Sequence, residues 1–183
     1  PCAEVPLEDG GACNLGSLNL SRFVDDGYDK QAKINWDQLA ESTAILVRFL
    51  DNVVTWNEDL NALEKQRTAA SETRRLGVGI MGVADMLNQL GVSYDSKEGI
   101  DIITRAMEFI ANAAYQASAS LAGEKGASPI YLEEEYMECP FIEEALSQET
   151  QALIDKFKET NPKVIEELIP DVLSLGKVQK VLQ

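Results

Sequence analysis

Histidine is absent from this sequence of 183 residues, and cysteine occurs only three times, at Cys2, Cys13 and Cys139. Without histidine the chain supplies neither an HExxH zinc motif nor the histidine of a Ser-His-Asp or Cys-His catalytic set, and a zinc site would need ligands from elsewhere. The odd number and uneven spacing of the cysteines do not suggest the disulfide framework of a secreted protein. These absences argue against metal-based chemistry and favour a reducing compartment.

Basic residues and long apolar runs are also scarce. The chain has 16 Lys and Arg against 31 Asp and Glu, a net charge of −15, which disfavours binding to nucleic-acid polymers because their phosphates need basic side chains. No apolar run approaches the roughly 20 residues of a membrane helix, and no signal-peptide pattern opens the chain, so we expect no membrane partner. The acidic runs at 133–138 and 143–159 are interpreted as solvated surface.

Apolar periodicity predicts a mainly helical chain. Residues 1–24 are rich in Gly, Asn and Ser and are predicted to be loop and extended segments, with one or two short strands near Val5 and Leu18. A strong helix is predicted from about residue 35 to Trp56, with Asn35 or Asp37 as its cap. Residues 60–73 contain good helix formers but few apolar positions, so we expect a short helix or an exposed connection there.

Glycines and caps set the remaining predicted boundaries. A short helix is expected at 83–90, ended by Gly91. Ser96 is a good cap for a long amphipathic helix whose apolar positions run from Ile100 to Leu121. Two further helices are predicted at 141–159 and 162–169. Three glycines directly before the short helix indicate a break in regular structure: Gly77, Gly79 and Gly82.

The front of the chain holds the side chains best suited to chemistry. Cys2 and Glu4 are spaced i and i+2, so in an extended loop they project to the same side. Cys13 follows 11 residues after Cys2, beside glycines, and could return to the same place. Two thiols and a carboxylate suit redox chemistry on an alcohol or carbonyl, with the Glu moving a proton. On spacing alone, two cysteines packed as small buried apolar residues are the favoured interpretation.

Three motifs, in order, resemble the catalytic large subunits of ribonucleotide reductases. PCAEVPL and GACNLGSLNL are similar to the family's Asn-Pro-Cys-Gly-Glu-x-Pro-Leu and Cys-Asn-Leu-Gly-Ser-Ile-Asn-Leu stretches. RRLGVGIMGVADML, from Arg74, resembles its RR-x-G-x-G-x-M-G-x-A-D-x-L segment. SASLAGEKGASP, from Ser118, resembles its SxxLAxExG segment. Together the motifs extend over about 130 residues, which makes the resemblance specific.

The resemblance implies a role for each of three residues. Cys2 matches the finger-loop cysteine that becomes a thiyl radical and removes the ribose 3′ hydrogen. Glu4 matches the carboxylate that takes the proton of the 3′ hydroxyl. Cys13 matches one member of the dithiol that reduces the substrate and ends as a disulfide. Ala3 departs from the family's Gly and restricts the loop backbone, and Cys139 lies too late in the chain to match the partner cysteine, so we interpret it as structural.

The resemblance also implies an α/β fold, a ten-stranded barrel of the ribonucleotide reductase type. This chain would be a partial, mainly α-helical piece with few short strands. A single partial domain is expected over 1–183, with the finger-loop and redox-cysteine segment at 1–24 and the helical part of the barrel at 35–183. The family's phosphate-binding and effector segments have no match here, so the chain alone is expected to be inactive.

The residues of these motifs also indicate the cofactor and the partners. They resemble the motifs of the adenosylcobalamin-dependent class more than those of the class whose radical comes from a separate di-metal subunit. The expected partners are a ribonucleotide substrate, a dithiol reductant such as thioredoxin and the remainder of the catalytic barrel.

The sequence leaves two other functions open. The first is a split subunit or inert fragment that acts only by docking to the rest of the barrel. The second is a helical dinucleotide-binding module, resting on Gly77-x-Gly79-x-x-Gly82, which would require a strand directly before Gly77. The adjacent Arg74 and Arg75 are interpreted as salt-bridged surface residues in preference to phosphate ligands.

Overall fold

The computed structural model describes residues 7–132. The prediction of a mainly helical chain with few short strands is confirmed for these residues, and no closed barrel is present among them. The predicted strand near Val5 and the predicted helices at 141–159 and 162–169 lie outside the described part. The strands are β1 (Asn14–Asn19), β2 (Val24–Asp25), β3 (Lys33–Ile34) and β4 (Leu76–Met81), and the helices are α1 (Trp36–Leu60), α2 (Glu64–Thr73), α3 (Val83–Leu90) and α4 (Lys97–Lys125).

β1 and β4 form a parallel pair in which Asn14 lies opposite Leu76 and Asn19 lies opposite Met81. Parallel neighbours need a crossover connection, and here it includes α1 and α2. β1 confirms the strand predicted near Leu18. β4 is a correction, because Gly77 and Gly79 lie inside a strand where their composition indicated only a break in the chain. β2 and β3 form a separate antiparallel pair.

α1 begins at the predicted cap and ends later than predicted. Asn35 Oδ1 accepts a hydrogen bond from the Gln38 N–H at 3.0 Å, which satisfies one of the unpaired donors of the first turn. The helix continues past Trp56 to Leu60. Its buried side contacts both β1 and β4 and holds Leu39, Ala40, Thr43, Val47, Leu50, Asp51 and Val54.

α2 confirms the short helix that was one of the two predictions for residues 60–73. Only Ala69 and Ala70 are buried on it, and the helix packs against α1. Small apolar residues at one side and charged residues elsewhere explain why the amphipathic signal of this segment is weak.

α3 and α4 confirm two further predictions. Gly91 ends α3 with φ +72°, and the Val92 N–H donates to the Leu87 carbonyl at 2.9 Å, which is the bond that closes a Schellman cap. Ser96 Oγ accepts from the Gly99 N–H at 3.0 Å and caps α4. α4 starts a few residues before the first predicted apolar position and ends at Lys125, a few residues after the last one.

Among the described residues, five parts of the chain enclose the core. These are β1, the turn that follows β1, α1, α3 and the first part of α4. The Trp36 and Phe109 rings contact each other at the margin of the core, with centroids 5.0 Å apart. Its buried members are Leu18, Leu20, Phe23, Leu39, Met86, Leu87 and Ile110. Leu87 is fully buried and Leu20 is 1% exposed, so the short 3-10 turn Leu20–Arg22 and α3 are fixed by apolar contact.

The chain divides into two units, with the boundary between Ala114 and Tyr115 inside α4. All the elements above, apart from the last turns of α4, belong to the first unit. In the second unit the described residues are 115–132. A single partial domain over 1–183 stays a prediction. Within 7–132, no helix combines the length and the apolar character that crossing a lipid bilayer requires.

Candidate active site

Cys13 lies immediately before β1 and is half-buried. Its neighbour Asn14 pairs with Leu76, so Cys13 sits at the amino end of the parallel strand pair, next to the start of β4. The thiol contacts the Asn14 carbonyl at 4.0 Å, a weak interaction at that distance.

The sulfur of Cys13 lies over Gly77 of β4. A Cβ atom added to Gly77 would lie 3.2 Å from Cys13 Sγ and 2.4 Å from Leu15 Cδ2. Both distances are shorter than the ordinary van der Waals range that begins at 3.4 Å. A side chain at residue 77 would therefore crowd both the thiol and the Leu15 side chain.

A tight turn precedes Cys13. The Gly11 N–H donates to the Glu8 carbonyl at 2.8 Å, and Gly10 has φ +86°, a conformation that favours glycine at the third position of such a turn. Asp9 forms an ion pair with Lys65 of α2. The chain therefore turns at residues 8–11, directly before the segment that holds Cys13.

Arg75 ties the same turn to the start of β4. Its Nη2 lies 3.3 Å from Glu8 Oε2, and both side chains are about one third exposed, at 38% and 36%. Among the residues that the structure describes, the buried Arg75 Nε has no hydrogen-bond partner. The guanidinium is therefore held beside the site by one ion pair.

Arg74 anchors the start of β4 from the other side. Its Nη2 lies 2.6 Å from Asp51 Oδ1 and 3.0 Å from both the Asp51 carbonyl and Thr55 Oγ1, and its Nε donates to Asp51 Oδ1 at 3.0 Å. Asp51 is 6% exposed, so the arginine neutralises a buried carboxylate. The prediction that Arg74 and Arg75 are salt-bridged is confirmed.

The glycine motif does not form a dinucleotide site. α2 ends at Thr73, so a helix and not a strand precedes Gly77, and the first two glycines lie within β4. The third, Gly82, has φ +71° and caps α3, and a Cβ there would lie 2.1 Å from Asn19 Oδ1. The dinucleotide-binding alternative is therefore wrong, since its phosphate loop must follow a strand.

The structure brings together only part of the predicted site. It places Cys13 beside Gly77, with the Glu8–Arg75 ion pair at the turn that leads into the site. Cys2, Glu4 and Cys139 lie outside the described residues, so their predicted roles stay predictions.

Residues 1–176 match the family described as "Ribonucleotide reductase, barrel domain". The chain belongs to the ribonucleotide reductase family. This membership confirms the resemblance inferred from the three motifs.

Curated relatives of two kinds share this family. A vitamin B12-dependent ribonucleoside-diphosphate reductase from Mycobacterium tuberculosis is 41% identical over 74% of the chain and 19% of the relative. One of the same name from Thermoplasma acidophilum is 40% identical over 74% of the chain and 17% of the relative. A ribonucleoside-diphosphate reductase subunit alpha from Chlamydia muridarum is 36% identical over 71% of the chain and 12% of the relative. The chain therefore spans less than a fifth of each.

Among the described residues of this ribonucleotide reductase chain, the surface beside α2 does not fit a cobalamin. A depression of about 470 Å³ lies between the Glu8–Asp9 turn and α2, and its lining is largely charged. Such a charged depression does not suit the apolar edge of a corrin ring. Among residues 7–132, no group of three or more His, Cys, Asp or Glu side chains could hold a separate metal ion.

Sequence reasoning missed two contributors to the site. The first is Gly77, whose contact with Cys13 follows from the register of β1 and β4. The second is Asp51, a buried acid on the apolar side of α1. The signal for Asp51 was present, because a lone acid at a core position of a helix needs a cationic partner.

Proposed function

We propose that this chain is part of the catalytic barrel of a ribonucleotide reductase, which reduces ribonucleotides to deoxyribonucleotides by radical chemistry. Cys2 is the thiyl radical, Glu4 is the base and Cys13 is one of the two reducing thiols. The observation that carries the proposal is the match of residues 1–176 to the barrel domain of this family. The position of Cys13 beside a side-chain-free residue of the neighbouring strand supports its role.

The proposed reaction balances as ribonucleotide plus dithiol giving deoxyribonucleotide, disulfide and water. The Cys2 thiyl takes the 3′ hydrogen atom and becomes a thiol, and Glu4 accepts the 3′ hydroxyl proton while the 2′ hydroxyl leaves as water. Two electrons and two protons come from the dithiol that includes Cys13: one proton joins the departing 2′ hydroxyl to form water, the other ends on C2′, and Glu4 returns its proton to the 3′ oxygen. The Cys2 thiol then returns a hydrogen atom to C3′, which restores the radical on sulfur.

The parallel pair of β1 and β4 supports the proposed fold of the whole enzyme. We propose that the two strands are neighbours in a ten-stranded barrel whose other strands come from the remainder of the enzyme. Among residues 7–132, each strand of this pair has one edge without a partner strand, and an unpaired edge is a ready site for a further strand.

We propose adenosylcobalamin as the radical source, bound by other parts of the complete enzyme. The relatives from Mycobacterium tuberculosis and Thermoplasma acidophilum are both named vitamin B12-dependent and are 41% and 40% identical to this chain. A separate di-metal radical subunit is the alternative. A dithiol reductant such as thioredoxin would regenerate the active-site thiols, in the cytoplasm.

The proposal is tested by complementation. The chain is mixed with a fragment that supplies the remaining segments of the barrel, together with ribonucleotide, a dithiol and adenosylcobalamin, and deoxyribonucleotide is quantified. We expect turnover in the mixture and none in either fragment. Cys2→Ser, Glu4→Gln and Cys13→Ser should each abolish turnover or lower it at least 100-fold, since each removes a group that takes part in the chemistry.

Cys139→Ser is the matched control, because this third cysteine is predicted to be structural, and it should keep turnover. Activity that survives Cys2→Ser would contradict the radical role. Activity with a di-metal radical subunit but not with adenosylcobalamin would keep the family and overturn the cofactor.

A second candidate function, docking without chemistry, is favoured by exposed apolar side chains on the described elements. On the strands, Leu15 is 67% and Met81 is 54% exposed. On α1, Phe49 and Trp56 are 54% and 60% exposed. A chain that binds the complementing fragment tightly, yet gives no deoxyribonucleotide with either radical source, would be a docking subunit.

A further inference from the structure

We propose that Gly77 is a positioning residue for Cys13, because the absence of a side chain there leaves the space in which the Cys13 sulfur meets its second sulfur. The inference rests on the redox role proposed for Cys13 and goes beyond it. It assigns to β4 a part in the reducing step, although β4 contributes no reactive group.

The register of the strands creates this contact. Gly77 lies directly opposite Leu15, two residues after Cys13, and the side chains of alternate residues in a strand project to the same side. The Cys13 thiol and the Leu15 side chain therefore both reach across toward Gly77. A Cβ at Gly77 would lie 3.2 Å from Cys13 Sγ, tighter than nine in ten real Cβ contacts.

The need for glycine is a need for space. The glycines with a positive φ among the described residues are Gly10, Gly82, Gly91 and Gly126, and Gly77 is not one of them. Alanine could therefore adopt the backbone conformation of residue 77 without strain. What an alanine changes there is the room around the thiol and around Leu15.

The reducing step needs that room. Two thiols become one disulfide and give two electrons and two protons to the substrate, and the new S–S bond is only about 2.05 Å long. When an external dithiol later reduces that disulfide, its thiolate must approach in line with the S–S bond, so access to the Cys13 sulfur also affects the rate of regeneration. A methyl group pressed against Cys13 Sγ obstructs the rotation of the thiol and one side of its approach.

Leu15 complicates a simple substitution, because its Cδ2 would lie even closer to the added Cβ, at 2.4 Å. Leu15 is 67% exposed, so Leu15→Ala removes this clash at little cost in stability. The informative comparison is therefore between Leu15→Ala and Leu15→Ala/Gly77→Ala.

Gly79 provides the matched control. It lies two residues further along the same strand and has no positive φ either. A Cβ there would meet Ser17 Oγ at 3.0 Å, and its nearest neighbours include no sulfur. Leu15→Ala/Gly79→Ala therefore adds the same methyl group to β4 without crowding the thiol.

The first measurement is the rate at which an aromatic disulfide reacts with Cys13 in the reduced chain. Peptide mass spectrometry distinguishes modification of Cys13 from modification of the other two cysteines. The Cys13 thiolate forms a mixed disulfide and releases one aromatic thiolate. We expect Leu15→Ala/Gly77→Ala to slow this reaction about fivefold or more, and the Gly79 control to stay within about twofold of Leu15→Ala. All variants should react alike in denaturant.

The second measurement separates this inference from the proposed function. In the complemented enzyme, the Gly77 variant should lower kcat with little change in KM, since it acts on the reducing step and not on binding of the nucleotide. An unchanged or faster disulfide reaction would overturn the role of Gly77 even if Cys13→Ser abolishes turnover. Turnover that survives Cys13→Ser would instead overturn the redox role on which the inference rests.

Discussion

Arg74 combines an unfavourable backbone with a favourable side chain. The residue has φ +45° and ψ 42°, the left-handed conformation, directly after α2, which costs a non-glycine residue about 1–2 kcal/mol. Its guanidinium nevertheless donates three hydrogen bonds to Asp51, to the carboxylate and to the carbonyl. The ion pair is largely buried, at 20% and 9% side-chain exposure, so removal of the arginine would leave Asp51 without this charged partner in a poorly solvated position.

Substitution of Arg74 separates the two effects. Arg74→Ala should lower the free energy of unfolding by about 2 kcal/mol, because the buried Asp51 loses its charged donors while the backbone cost remains. Arg74→Gly should be less damaging by about 1 kcal/mol, because glycine adopts the left-handed conformation without that cost. Urea denaturation followed by circular dichroism measures both.

Arg75→Ala is the neighbouring control. Its ion pair with Glu8 is partly exposed, so its loss should cost less than about 1 kcal/mol. Equal losses for Arg74→Ala and Arg75→Ala would show that burial of Asp51 does not set the strength of the Arg74 pair.

Individual residues of the site were only partly predictable from the sequence. Cys13 and the salt-bridged arginines were predicted from local motif and composition. The contact of Gly77 with the thiol was not, because it depends on pairing between residues more than 60 positions apart. Strand register is set by packing across the whole sheet, which a local pattern does not contain.

Elements differ in how well their sequences predict them, and α3 and β4 show the contrast. α3 is a short amphipathic helix with a local stop signal at Gly91, and it was predicted with its observed ends. β4 reads Leu-Gly-Val-Gly-Ile-Met, and its glycines lower the strand propensity. These glycines are explained only by the side chains of Leu15, Cys13 and Ser17 across the pair.

The cap of α3 gives an element-scale prediction. Gly91 has φ +72° and no atom within 4 Å of a built Cβ, so a substitution there meets backbone strain and no clash. Gly91→Ala should lower the free energy of unfolding by about 1–2 kcal/mol. Gly91→Asn should cost less, because Asn tolerates the left-handed conformation. Equal losses for both variants in urea denaturation would contradict a purely conformational cause.

At the scale of the whole molecule, α1 is apolar on two opposite sides. One side packs on β1 and β4 through residues such as Leu39 and Leu50. The other holds Phe49 and Trp56, seven residues or two helical turns apart, and both are more than half exposed. A helix that is apolar all round is normally buried. Together with the strand edges that have no partner strand among residues 7–132, this side supports the proposed docking of the chain to the rest of the barrel.

Trp56 reports on that docking. When the complementing fragment binds, burial of the indole should shift its fluorescence emission to shorter wavelength. The measurement uses a Trp36→Phe variant, so that Trp56 is the reporting tryptophan of the chain. In the complementing fragment every Trp is replaced by Phe. The reciprocal variant, Trp56→Phe, keeps Trp36, which already contacts Phe109, and should show little shift. Phe49→Ser should weaken binding by removing apolar area from the same side of α1. If the fragments associate and restore turnover while the emission of Trp56 stays unchanged, the exposed side of α1 is not where the barrel docks, and another surface of the chain, such as the edges of β1 and β4, carries the association.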